Sequence, residues 1–234
     1  MTLRTLDRVP LYDDRSLDHP VRELVTKRIP RTKSWAYVQL DQGKEGACTG
    51  FSATTQAAAY PKPWFGNPST ITDVTPINAI AHDVYKRAQF LDEYPGENYE
   101  GSSVLGATKA GQERGWWTGY KWALGPGPEA AAEDVILSLG WVGPVCMGTN
   151  WFKDMFRADD NGYLHASGGV AGGHAYLLTK YSKLRDAVWT CNSWGGAGQG
   201  WISRADLIIL LGDQGEACIP TGMQVPKSDM ISKD

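Results

Sequence analysis

The chain has 234 residues, 42% hydrophobic and 21% charged, with a formal net charge of −3. This is the composition of a globular domain with a sizeable core, and it excludes the basic footprint of a nucleic-acid binder or a polybasic membrane patch. No apolar run approaches the roughly 20 residues of a membrane helix, and the opening MTLRTLDRVPLYDDRSLDHP lacks the hydrophobic stretch of a secretory signal.

Residues 1–34 are polar, charged and punctuated by proline. They read as an arm that ties across the surface, not as a helical pro-segment. Such an arm is also a candidate contact for an assembly partner. From Ala47 to Tyr60 the residues are small, and Pro61 and Pro63 stop the run, which suits a tightly buried helix. Thr75-Pro76 opens a second helix, with Thr75 as N-cap. Ile77, Ile80, Ala81, Val84, Tyr85 and Ala88 keep the spacing of one buried face. A third helix is expected over Ser103–Arg114 and a fourth over Pro128–Leu139.

After Gly140 the pattern changes. Val142–Met147, His174–Tyr181, Ala187–Thr190 and Trp201-Ile202 are rich in β-branched, aromatic and aliphatic residues and predict strands. Helices in the first half and strands in the second point to an α+β architecture of two lobes with a seam between them.

Four cysteines occur, Cys48, Cys146, Cys191 and Cys218, and none has the spacing of a zinc site. They read as free thiols, which suits a reducing compartment; no metal or other cofactor is expected. Cys48 follows Gly46-Ala47 at an expected helix start, where a thiol is favoured to ionise. The plain alternative is a small buried side chain. Among the histidines, His19 lies in the arm, His82 off the apolar face of its helix, and His165 in a Gly/Asn/Ser-rich loop. His174 differs. It follows two glycines and opens an apolar strand, so its ring can face a cleft or be held in the core. Asn192 can orient that ring by accepting a hydrogen bond, and Trp194 can cover the bond; CNSWGG can also be a plain turn.

These segments together resemble the papain-like (C1) cysteine peptidases. Gln42-Gly43 with Gly46-Ala47-Cys48, then His174-Ala175, then Asn192-Ser193-Trp194-Gly195 follow the family's order. His174 and Asn192 lie 126 and 144 residues after Cys48, close to the family's separation of about 130–150. Glu100-Gly101-Ser102-Ser103 resembles the glycine stretch that pairs with substrate backbone, and Gly143-Pro144-Val145 the strand entering the β-rich lobe.

The resemblance implies a papain-like domain over 35–225, with a helical lobe at about 42–125, a β-rich lobe at about 126–225, and a tail at 226–234. It implies a cysteine endopeptidase acting on peptide or protein substrates. Cys48 is then the nucleophile, His174 the proton carrier and Asn192 its orienting partner. Gln42 joins the Cys48 N–H in the oxyanion hole. Gly101, with Ser102 beside it, holds the substrate strand, Ala175 lines a side-chain pocket, and Gly46 leaves room for the substrate. Two positions depart from the family: Thr49 replaces an aromatic residue, and Glu45 a disulfide cysteine.

A papain-fold structural or binding subunit of a larger assembly, such as a viral particle, is the alternative in another class. The expected location is accordingly the cytoplasm or a viral particle. A compact Cys/His cell-wall amidase fits less well, because its histidine lies much nearer its cysteine.

Overall fold

The computed structural model describes residues 5–11, 14–25, 29–59, 61–92 and 100–224. Tyr60 and the tail from 226 onward lie outside the described residues.

Among the described residues, five α-helices and one antiparallel sheet carry the fold: α1 (Cys48–Ala57), α2 (Thr75–Leu91), α3 (Val104–Glu113), β2 (Gly119–Trp122), α4 (Pro128–Trp141), β3 (Val145–Phe152), β4 (Val170–Ser182), β5 (Ala187–Cys191), β6 (Trp201–Ser203), α5 (Arg204–Gly212) and β7 (Glu216–Thr221), preceded by the short β1 (Lys33–Ser34). The sheet order is β2-β7-β3-β4-β5-β6, with β1 added on β4. The last strand thus lies between two earlier ones.

Every residue of α1 is buried. Its small side chains let α2 approach closely: a Cβ on Gly50 would lie 2.5 Å from Ala81 O and Tyr85 N. On α2 the expected face is buried at Ile77, Ala81, Val84, Tyr85 and Ala88, while Ile80 is partly buried. The start of α2 differs from expectation. Thr75 is already helical, and the Asp73 carboxylate, an acceptor two residues upstream, takes its N–H at 2.9 Å. Ser103, expected as the first residue of the third helix, is instead the cap of α3, accepting from the Gly106 N–H at 2.9 Å.

Two apolar clusters lie among α1, α2 and α3, and a third, larger one joins α4 and α5 to the sheet. A fourth fills the seam, where Cys48, Val104 and Leu105 meet Cys146, Ala175 and Leu177. The α1 N-terminus and the middle of β4 are therefore held against each other by burial.

The arm departs most from expectation. It forms short 3-10 turns at Asp14–Asp18 and Val21–Glu23, and Val21 is fully buried in the core. Ahead of those turns, residues 5–9 do not run over the open surface but lie in the seam.

Candidate active site

The site has one wall from each half of the chain. Cys48 is the first residue of α1, behind Ala47, whose side chain provides no cap. His174 lies on β4, paired with Thr149 of β3. Asn192 directly follows β5, and the pairing of β4 with β5 brings it beside His174.

His174 Nε2 lies 2.9 Å from Asn192 Oδ1. The Asn192 amide nitrogen donates to Gly198 O at 3.2 Å, so its oxygen is the atom turned to the ring. His174 therefore donates through Nε2–H, and Nδ1 carries the lone pair. That Nδ1 is buried and has no hydrogen-bond partner among the described residues. Trp194 stacks on the imidazole with centroids 4.6 Å apart, and Trp151 meets it edge-on at 4.9 Å. Within this aromatic box, burial pulls the His174 pKa down to about 4, against the opposing bond to Asn192.

Cys48 is fully buried. Its thiol lies next to the same strand, because the backbone N–H of Ala175 points at the sulfur. A second N–H, from Asp7 of the arm, points there too. Burial nonetheless pushes the thiol up to about 11, and the Asp7 carboxylate adds to the rise. A helix N-terminus favours a thiolate, but here desolvation outweighs it. Thiol and imidazole are both neutral while the arm is in place.

Gln42 is held on both sides of its amide. Its oxygen accepts from Ser193 Oγ at 2.6 Å, and its nitrogen donates to Glu45 O at 2.8 Å. Its backbone N–H also bonds Ser193 O. One hydrogen of the Gln42 NH2 remains beyond these bonds. Ser193, read only as part of a motif, thus fixes the orientation of Gln42.

Positions expected to hold a substrate hold the arm. Arg8 N–H donates to Gly173 O at 2.9 Å, Val9 N–H to Ser102 O at 2.9 Å, and Ser102 N–H to Asp7 O at 3.1 Å. Main-chain pairing therefore belongs to Ser102. The Gly101 N–H is instead taken by the Tyr85 hydroxyl at 2.9 Å. Gly101 still makes the contact sterically possible: its φ is +98°, and a Cβ there would lie 1.9 Å from Asp7 O. Gly46 does the same on the other side, where a Cβ would lie 1.8 Å from the Asp7 carboxylate. Ala175 is buried in the seam, and what it presents to the sulfur is its N–H.

Of the two departures from the family pattern, Glu45 places its carboxylate 2.5 Å from His82 Nδ1 of α2. His82 is therefore not simply solvent-facing; it also meets Phe51 edge-on at 4.9 Å. Thr49 is fully buried in α1. His165 is exposed and beside Asp159, as a surface role requires. All four cysteines are free and buried.

The sequence reading missed Asp7, Arg8 and Glu216. Arg8 is 3% exposed and Glu216 5% exposed. Their side chains meet at 2.7 Å, far from each other in sequence and with no motif around either.

No protein-family model matches the sequence, and no curated protein matches it. Solved structures do. Xylellain, a cysteine protease from Xylella fastidiosa, is 12% identical with a TM-score of 0.62, over 96% of this chain and 99% of that one. The procathepsin B S9 of Trypanosoma congolense is 13% identical with a TM-score of 0.54, over 97% and 85%. The bromelain protease of Ananas comosus, solved with the E64 inhibitor, is 13% identical with a TM-score of 0.53, over 82% and 99%. At such identities the likeness concerns the fold, and that fold is the papain-like one.

Proposed function

We propose, on the frame of a papain-like fold, that this protein is a cysteine endopeptidase hydrolysing peptide bonds through an acyl-enzyme. The observation that carries the reading is the His174–Asn192 hydrogen bond, which leaves Nδ1 as an unpartnered base one residue from the N–H that meets the Cys48 sulfur. An unpartnered buried nitrogen costs about 1–3 kcal/mol, so a structural role alone gives little reason for it.

In the proposed reaction, Nδ1 takes the thiol proton and the sulfur attacks the substrate carbonyl carbon. The carbonyl π electrons move to oxygen. That oxyanion is met by the free hydrogen of the Gln42 amide and by the Cys48 N–H. The imidazolium then gives its proton to the leaving amine as the C–N bond breaks. Water, deprotonated by the same nitrogen, attacks the thioester carbonyl; the C–S bond breaks, the acid leaves and the imidazolium returns its proton to the Cys48 sulfur. Asn192 keeps the ring in the required tautomer throughout, and the Trp194–Trp151 box keeps competing water away.

Cys48→Ala should abolish both peptide cleavage and labelling by a thiol-directed epoxide, measured in a full chain with a loosened arm such as Val9→Pro. Labelling that persists, or that moves to Cys191, overturns the assignment. The alternative, a papain-fold binding subunit, is favoured by one observation: the cleft is filled by the chain's own arm. Recovery only in a stoichiometric complex, with no turnover from the arm-loosened variant, would support that alternative.

A further inference from the structure

Arg8 reaches past the main-chain bonds of the arm into a pocket beside the site. Its Nε and Nη2 both donate to Glu216 Oε1, at 3.1 and 2.7 Å. Nη2 also donates at 3.0 Å to the carbonyl of Gln214, whose φ of 58° is unusual for a residue with a side chain. The floor is Gly148 of β3. A Cβ at that position would lie 2.6 Å from Val104 Cγ2, 2.8 Å from Arg8 Nε and 2.9 Å from Glu216 Oε1. The pocket exists because residue 148 has no side chain.

A buried ion pair is a poor means of stabilising a fold. Replacing one with apolar residues is often neutral or stabilising. A carboxylate at the base of a side-chain pocket, between the two walls of a cleft, is instead what recognition of a cation requires. We propose that the pocket of Val104, Gly148 and Glu216 sets the specificity of this protein for a basic side chain, arginine above all, in a peptide laid along Ser102 and Gly173. Arg8 holds that place in the arm-filled state. As a statement about substrates it rests on the peptidase reading; as a statement about binding it does not.

The arm fits well enough to occupy the pocket and badly enough to leave it. Arg8 Nη1 and Asp7 Oδ2 are both buried without a hydrogen-bond partner among the described residues. Each such atom carries an uncompensated desolvation cost. When the arm withdraws, Glu216 loses the guanidinium that opposes the upward push of burial on its carboxyl. An incoming arginine restores that partner, whereas leucine cannot.

The test uses the full chain carrying Val9→Pro, which removes the Val9 N–H bond to Ser102 without touching the pocket; Arg8→Ala is the second variant. Each is assayed on a fluorogenic peptide library scanned with Arg, Leu and Glu ahead of the scissile bond. We expect Arg over Leu by about tenfold or more at one position, a lost preference in Glu216→Gln, and a switch toward Glu in Glu216→Lys. Turnover without an arginine preference, or a preference that survives Glu216→Lys, overturns the proposal.

Binding separates the two readings. A labelled peptide of residues 5–11, TLDRVPL, is titrated by fluorescence anisotropy against the Val9→Pro and Cys48→Ala double variant, beside its Arg-to-Leu counterpart. Selective binding of the arginine peptide, lost in Glu216→Lys, with no turnover in any variant, refutes the peptidase and keeps the pocket. Equal binding of the two peptides refutes the pocket.

Discussion

His174 gives one ring nitrogen to Asn192, at 2.9 Å, and keeps the other buried with no hydrogen-bond partner among the described residues. The first nitrogen fixes the second: with Nε2 protonated, Nδ1 is the base. Asn192→Ala should therefore lower kcat/KM by about tenfold or more, the worth of a hydrogen bond of about 1.4 kcal/mol that holds the ring in place. Measured as a pH–rate profile in the arm-loosened chain, the loss should persist across the profile, because orientation and tautomer are lost at every pH.

The same burial makes stability depend on pH. His174 titrates near 4 in the folded protein against an ordinary 6.5. Below 6.5 the unfolded chain takes up a proton that the native state refuses. Stability from this group is thus intact above 6.5 and falls as the pH drops toward 4, by on the order of 3 kcal/mol. Urea midpoints at pH 7.5 and pH 4.5 should move less in His174→Gln than in the native protein. On the alkaline side the sign reverses: Cys48, at about 11 against an ordinary 9.0, withdraws stability as the pH rises between those values.

Gly173 offers a way to move the arm without straining the backbone. It is not in the left-handed region, yet a Cβ there would lie 2.0 Å from Arg8 O. Gly173→Ala is expected to raise the rate of Cys48 alkylation by iodoacetamide by about tenfold, the effect of lifting a cover held by about 1.4 kcal/mol. An unchanged rate would mean that the arm does not limit access to the sulfur.

Gln42 separates oxyanion stabilisation from thiol chemistry. Gln42→Ala should lower kcat by about 10²–10³, as loss of one oxyanion donor does, while Cys48 alkylation in the arm-loosened chain keeps its rate. Ser193→Ala removes only the bond that orients Gln42 and should cost less in kcat than Gln42→Ala.

Much of this was legible in the sequence for physical reasons. The α1 and α2 helices announce themselves by small residues and by one apolar face. His174 and Asn192 stand out because a histidine behind two glycines and an Asn-Ser-Trp-Gly run are costly ways to build an ordinary strand and turn. Asp7, Arg8 and Glu216 gave no such signal. A charged residue reads as solvated until its partner is known, and the partner of Arg8 lies 208 positions away. In β7, EACIPT begins with an acid and contains a proline, so its alternation is too weak to mark a central strand. In α5 the apolar run LIILL has no helical period that sets one face apart.

The position of β7 has a consequence for the order of assembly. This strand, the last among the described residues, pairs with both β2 and β3, so the middle of the sheet waits for a strand made after its neighbours. Its first residue is Glu216, the anchor for Arg8. During synthesis the arm precedes its latch by 208 positions. Such long-range closure is slow compared with helix formation. Until that strand enters the sheet, Arg8 lacks its carboxylate, and the arm has only its main-chain bonds to Ser102 and Gly173 to hold it.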